Sequence, residues 1–203
     1  MQRARQQGLQ EIHYSLPLPD GTHHFNARLA WLPDGERCMF LVRDITEQHL
    51  AQQGREHLND FVLLLFRLAT RFINLPLKQM DDAVDAALRD MGEFLHVDRA
   101  YLFTYDHAGG TATNTHEWCA PGIAARKPLW QAAPIGRLAP LHQQHLRGAT
   151  VRAADAQTFP PGPVRTLLED AGIRSLLTLP LMNGDICPGF VGLDLVNQPR
   201  EYG

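Results

Sequence analysis

The 203-residue sequence predicts an α+β fold built on a mainly antiparallel sheet. Three observations carry that expectation. Apolar runs with strand character open the chain and return from Arg99 onward. Between them the apolar spacing changes to alternating steps of four and three, the period of a helix. Turn signals at Pro19-Asp20-Gly21, Pro33-Asp34-Gly35 and Asn183-Gly184 join neighbouring strand runs directly.

Leu9–Leu18, Thr22–Leu32 and Cys38–Val42 read as three strands of a meander. A sheet of three strands with one apolar face is not stable alone, so its face and edges need a cover, either the helix that follows or a second chain. From Thr46, a candidate N-cap, the chain reads as helix. Leu58, Val62, Leu65, Ala69 and Phe72 form a stripe over about two heptads, widened by Phe61 and Leu68. Leu77–Leu95 is a second amphipathic helix, with Asp81 and Asp82 placed to suit the dipole of its first turns.

Arg99–Asp106 and Ala112–Cys119 then read as a strand pair around Gly109-Gly110. Residues 120–137 are irregular. Leu141–Leu146 is a short helix and Ala149–Ala153 a short strand. Pro163–Ala171 is a helix with Pro at its start and Gly172 at its stop. Ile173–Met182 and Ile186–Val196 are strands, and Asn183-Gly184 between them is a strong hairpin signal.

An apolar fraction of 44% marks a chain that buries a core. A net charge of -3 supplies no basic footprint for nucleic acid. No run approaches 18 consecutive apolar residues, and Met1–Gln10 lacks the apolar core of a secretory signal, so the cytoplasm is the expected compartment. Cys38, Cys119 and Cys187 are odd in number and contain no CxxC pair, which excludes a zinc site of the usual spacing.

Residues 9–48, closing on Phe40–Gln48 (FLVRDITEQ), resemble the last strands and exit of a PAS domain. There Asp44 and Thr46 suit a helix start while Ile45 docks on the sheet. Four segments at residues 97–106, 114–123, 171–182 and 189–202 (VDRAYLFTYD, NTHEWCAPGI, AGIRSLLTLPLM, GFVGLDLVNQPREY) resemble a GAF domain. The resemblance implies a PAS remnant at 1–48, a linker helix at 49–57 and a GAF domain at 58–203. It implies a module of a bacterial sensor protein, such as a histidine kinase or a GGDEF diguanylate cyclase. That module is expected to be a homodimer without enzymatic activity or cofactor, ahead of an output domain outside this chain. The PAS part lacks its first strands and the helices that wall a pocket, so no PAS ligand follows.

GAF domains often hold a small molecule under the loops on one sheet face. Here those loops are 120–144 and 154–163, and His116, Trp118, Trp130, His142 and His145 lie in or near them. The plainer reading makes the tryptophans core residues under a long loop. Asp194 alternates with Leu193 and Leu195, so its carboxylate falls on the opposite face, either against a ligand or as an ordinary strand residue.

The Asn-Lys…Phe…Asp-Glu pattern of cyclic-nucleotide binders is absent, and Cys119 and Cys187 are not in the contexts that attach bilins. Cys187-Pro188 as a haem dipeptide and His142/His145 as metal ligands are weak signals, because a metal needs several convergent ligands. No GxSxG, P-loop, HExxH or GxGxxG appears. A methionine sulfoxide reductase on a similar fold needs several pocket cysteines, and only Cys119 lies near.

Two functions therefore stand side by side. One is a dimerising relay through Leu58, Phe61, Val62, Leu65 and Leu68 on the connecting helix. The other is a sensor that binds a small ligand or cofactor (a cyclic nucleotide, haem or bilin) in the GAF pocket.

Overall fold

The computed structural model describes residues 9–32 and 37–196. They divide into two compact units, with the division between Leu65 and Phe66. The second Pro-Asp-Gly turn, at 33–35, lies outside the described residues, as do residues 197–202 of the last resembling segment.

The first unit holds an antiparallel sheet of order β1-β2-β3, made of Leu9–Leu18, Gly21–Trp31 and Cys38–Asp44. Its two faces differ as period-two alternation requires. One carries Glu11, His13, Asn26 and Arg28, tied by side-chain hydrogen bonds of 2.6–3.2 Å. The other carries Ile12, Leu16, Leu18, Phe40 and Val42, all exposed. Met39 and Leu41 are exposed on the polar face, so β3 shows apolar side chains on both sides.

α1 (Thr46–Phe72) follows at once. Thr46 is its first residue rather than its cap. The Asp44 carboxylate accepts from the Thr46 backbone N–H at 2.9 Å and from its hydroxyl at 2.6 Å. The Thr46 hydroxyl in turn accepts from the His24 backbone N–H at 2.9 Å, which ties the helix start to the sheet. Hydrogen bonds from Thr46, then from His23, hold the Asp44 carboxyl down at about 2. The helix is continuous through 57/58, so no break separates a linker from the stripe residues.

The second unit begins in the last turns of α1. Arg67 and Arg71 there reach Asp90 of α2 (Met80–Leu95) at 3.4 and 2.7 Å. A six-stranded antiparallel sheet has the order β6-β5-β4-β9-β8-β7. These are β4 (Arg99–Asp106), β5 (Thr111–Cys119), β6 (Ala133–Pro134), β7 (Val151–Ala153), β8 (Ser175–Asn183) and β9 (Ile186–Leu195). Two further helices are α3 (Ala139–His145) and α4 (Pro163–Asp170). The hairpin between β8 and β9 turns on Gly184-Asp185, one residue later than the Asn-Gly signal suggests. Asn183 stays paired with Ile186, and Gly184 takes φ +60° at the first turn position, as a II′ turn needs.

Both faces of this sheet are covered. Ala100, Leu193 and Leu195 pack with Leu88 and Val97 against α2. Tyr101, Phe103, Tyr105 and Phe190 pack on the other face with Trp130 and residues of α3 and α4. Burying a residue such as Leu193 contributes about 1.5–3 kcal/mol. The fold is thus the expected α+β arrangement with a central antiparallel sheet, flanking helices and a preceding three-stranded sheet.

Candidate functional site

β4 presents Arg99, Tyr101 and Phe103 to the face beneath α3 and α4, because side chains alternate along a strand. β9 lies beside it with Arg99 opposite Asp194, Tyr101 opposite Gly192 and Phe103 opposite Phe190. On the other side, β5 pairs Leu102 with His116 but Phe103 with Asn114, so Thr115 is an extra residue, a bulge. The bulge sets which side chains of β5 reach the cavity: Asn114 and Glu117 line it.

A cavity remains on this face. The space open to the centres of water-sized molecules is ≈ 60 Å³. With the mouth and the solvent at it included, the empty space is ≈ 520 Å³. The smaller figure is the one comparable with the cavity volumes of other proteins. Its apolar wall includes Tyr101, Phe103, Trp130, Leu141, Leu168 and Phe190. Phe103 stacks on Phe190 with centroids 4.9 Å apart and meets Trp130 edge-on at 5.5 Å. Arg137 covers a Trp130 ring at 4.5 Å.

The polar end holds Arg99, Asp194, Glu117 and Arg126. Arg99 Nη1 lies 3.4 Å from Asp194 Oδ2, and Arg99 Nε donates to the Ala124 carbonyl at 3.1 Å. Glu117 Oε2 accepts from the backbone N–H groups of Arg126 and Lys127, both at 2.8 Å. Asp194 is 1% exposed, and its Oδ1 has no hydrogen-bond partner. Burial pushes its carboxyl up to about 7, with Arg99 acting in the opposite direction.

A second polar chain runs up to the cavity wall at Thr178. The Tyr105 hydroxyl and His145 Nδ1 lie 2.8 Å apart, and His145 Nε2 lies 2.8 Å from the Thr178 hydroxyl. His145 is fully buried, which brings its pKa down to about 4. His142 stacks edge-on against Tyr105 at 4.7 Å, and His107 lies 5.5 Å away from it. Burial, then His107, lowers the pKa of His142. Among the described residues no group of three or more His, Cys, Asp or Glu can hold a metal ion.

The sequence-derived candidates separate accordingly. Trp130 and Asp194 line the cavity. His116 and Trp118 do not: both lie on the α2 face of the sheet. His116 Nε2 is 3.4 Å from Asp81, and Trp118 packs beside Leu88 and Leu193, with Gly92 of α2 against its ring. The bulge at Thr115 and strict alternation beyond it put Glu117, not its neighbours, on the cavity side. His142 and His145 do not line the cavity. Cys187 is fully buried with its thiol on the Gly189 carbonyl, so it is closed to haem. Arg99 and Glu117 carry the polar end and were not singled out from the sequence. A charged residue opening the apolar strand 99–105 was the signal for Arg99.

On α1, Leu58 is 61% exposed and Leu65 48%; Phe61 and Val62 are exposed and Leu68 is half-buried. No helix among the described residues is long and apolar enough to cross a membrane.

No curated protein matches the chain in sequence. Among solved structures, the chromophore-binding domain of a bacteriophytochrome from R. palustris is similar at TM-score 0.60 and 14% identity, over 95% of this chain and 67% of that one. The phycocyanobilin-bound GAF domain of a cyanobacterial phytochrome gives 0.57 and 16%, over 69% and 81%. The GAF domain of a phosphoenolpyruvate-protein phosphotransferase from Coxiella burnetii gives 0.56 and 17%, over 70% and 80%. At these identities the likeness is one of fold. Residues 79–202 match the GAF domain profile, and with more than half of its length so matched the chain belongs to the GAF domain family.

Proposed function

We propose that this chain is a sensory and relay segment of a bacterial signal-transduction protein, in which two copies pair along α1. The exposed apolar stripe on that helix carries the reading. Leu58, Val62 and Leu65 repeat at steps of four and three and stand in solvent, where a second copy gains by covering them. The three strands before α1 fit the end of a PAS domain, which would pass its state into the helix through the Asp44–Thr46 junction.

Within the second unit a contiguous set of contacts supports a relay. Asp194 and Leu193 are neighbours on β9, one facing the cavity and the other facing α2. Leu88 of α2 packs in the cluster of Leu193, and Asp90 holds Arg67 and Arg71 of α1. A shift of β9 on ligand binding therefore has a mechanical route to the paired helix, provided that the packed helices have two arrangements. The chain itself is proposed to catalyse no reaction.

Sedimentation equilibrium tests the dimer. The unaltered chain is expected to dimerise, and Leu65→Asp to raise the dissociation constant at least tenfold. An unchanged constant would overturn the pairing.

A second reading, a small-ligand sensor, is favoured by one observation: an apolar cavity whose lining also brings together Arg99, Glu117, Arg126 and Asp194. The residues do not suit a bilin. The ≈ 60 Å³ open to the centres of water-sized molecules is far below the roughly 300–1,000 Å³ of sites for drug-sized molecules. Cys119 does not line the cavity, and burial, then Glu117, pushes its thiol up to about 11, away from the reactive thiolate.

A further inference from the structure

One segment at the rim of the cavity is fastened by side chains and not by a strand ladder. Residues 121–128 belong to no strand. They open on a Pro121-Gly122 turn, where the Ile123 N–H donates to the Ala120 carbonyl at 3.0 Å and Gly122 takes φ +84°. They close on the short helical turn Lys127–Leu129. Both turns are local, so each holds whether or not the segment stays down.

The fastenings come from three elements. Arg99 of β4 donates through Nε to the Ala124 carbonyl, and Glu117 of β5 accepts from the Arg126 and Lys127 N–H groups. Arg126 itself reaches across. Its Nη2 donates at 3.0 Å to the carbonyl of Asp170, the last residue of α4. Arg126 lines the cavity, and so do Leu167, Leu168 and Ala171 around that end of α4. The bond therefore joins the β5 side of the rim to the α4 side. It is exposed to water, whereas Glu117 holds two N–H groups with one carboxylate. Water replaces an exposed partner at little net cost, so the Arg126 bond is the fastening that breaks first.

We propose that residues 121–129 are a lid on this cavity, latched by Arg126 to the Asp170 carbonyl, and that an occupant enters when this bond opens. The proposal rests on the ligand-sensor reading of the cavity and adds how entry is controlled. The ≈ 60 Å³ open to the centres of water-sized molecules is then the space with the lid shut.

The test joins amide hydrogen exchange to xenon binding on the 203-residue chain, xenon being a compact probe of largely apolar cavities. Xenon is followed at the methyl signals of Leu141 and Leu168, which line the cavity. In the unaltered chain the N–H groups of Arg126 and Lys127 are expected to exchange at least tenfold faster than those of the β4–β9 ladder, because the lid opens while the sheet stays closed. Arg126→Ala is expected to speed both amides at least threefold and to leave the ladder unchanged. It is also expected to raise the association and dissociation rates of xenon together, with the dissociation constant within twofold. Amides at 126 and 127 as slow as the ladder, or xenon rates unchanged in the variant, overturn the lid and leave the cavity a ligand site. Faster dissociation alone also overturns it, since a contact was then lost and no entrance opened. Xenon bound by neither protein overturns the lid and the ligand reading together. The comparison of amides within the unaltered chain stands even if the variant fails to fold.

Discussion

Arg99 and Asp194 face each other across the β4–β9 ladder, guanidinium Nη1 3.4 Å from carboxylate Oδ2, with both side chains almost wholly buried. Two charges removed from water at that separation repay their desolvation poorly, so the value of the pair lies in each partner's need for the other. Arg99→Met is expected to destabilise the chain by about 3 kcal/mol at pH 8, because it leaves Asp194 as an uncompensated buried charge. Urea denaturation measures the difference. Replacing both residues, Arg99→Met with Asp194→Leu, should recover most of that loss.

Asp194 and His145 bias stability against pH in opposite directions. Asp194 has a folded pKa raised to about 7, so its contribution is fully present below the usual carboxylate range and is lost as pH rises through 7. His145 has a folded pKa lowered to about 4, so the unfolded chain binds the extra proton and stability falls as pH drops from 6.5 toward 4. Each slope is about 1.4 kcal/mol per pH unit in its window, and between pH 4 and 6.5 they oppose each other. The unaltered chain should therefore show a shallow profile there. Asp194→Asn should uncover stability that rises with pH, and His145→Gln stability that falls. Melting temperatures measured from pH 4.5 to 7 decide this, and parallel profiles in all three proteins would contradict it.

Gly92 inverts the usual helix rule. An alanine in place of a helical glycine ordinarily gains about 1 kcal/mol. Here a β-carbon would run into the Trp118 ring, which sits over Gly92 and packs against the α2 face of the sheet. Gly92→Ala is expected to cost about 1–3 kcal/mol by overpacking. Trp118→Leu in the same background should relieve part of that cost, measurable as a double-mutant cycle in denaturant.

Asp90 holds the end of α1 through two arginines that are only partly buried. Global stability should fall by less than about 1 kcal/mol in Asp90→Ala, as partly exposed ion pairs contribute little. Hydrogen exchange at residues 66–72 should nevertheless accelerate several-fold, because the last turns of the helix lose their anchor. Exchange unchanged at those residues would remove Asp90 from the proposed relay.

Much of the fold is local in origin and was legible in the residues. The spacing of apolar positions set α1 and α2, and turn residues such as Pro19-Asp20 and Gly184 set the hairpins, since each acts over a few bonds through backbone preference and side-chain period. The alternation of Leu193 with Asp194 likewise separated the two faces of β9 before any partner was known. The candidate site was legible only in part. Trp130 and Asp194 reach the cavity, whereas His116 and Trp118 are turned to the other face by a single extra residue, Thr115, that no sequence pattern announced. Arg99 meets Asp194 across 95 positions of chain because β9 inserts between β4 and β8. Strand order and register of that kind come from summed packing on both faces of a sheet, a non-local quantity, so the sequence by itself determined the elements and their faces, and only the tertiary structure decided which charges share a cavity and which side chains line it.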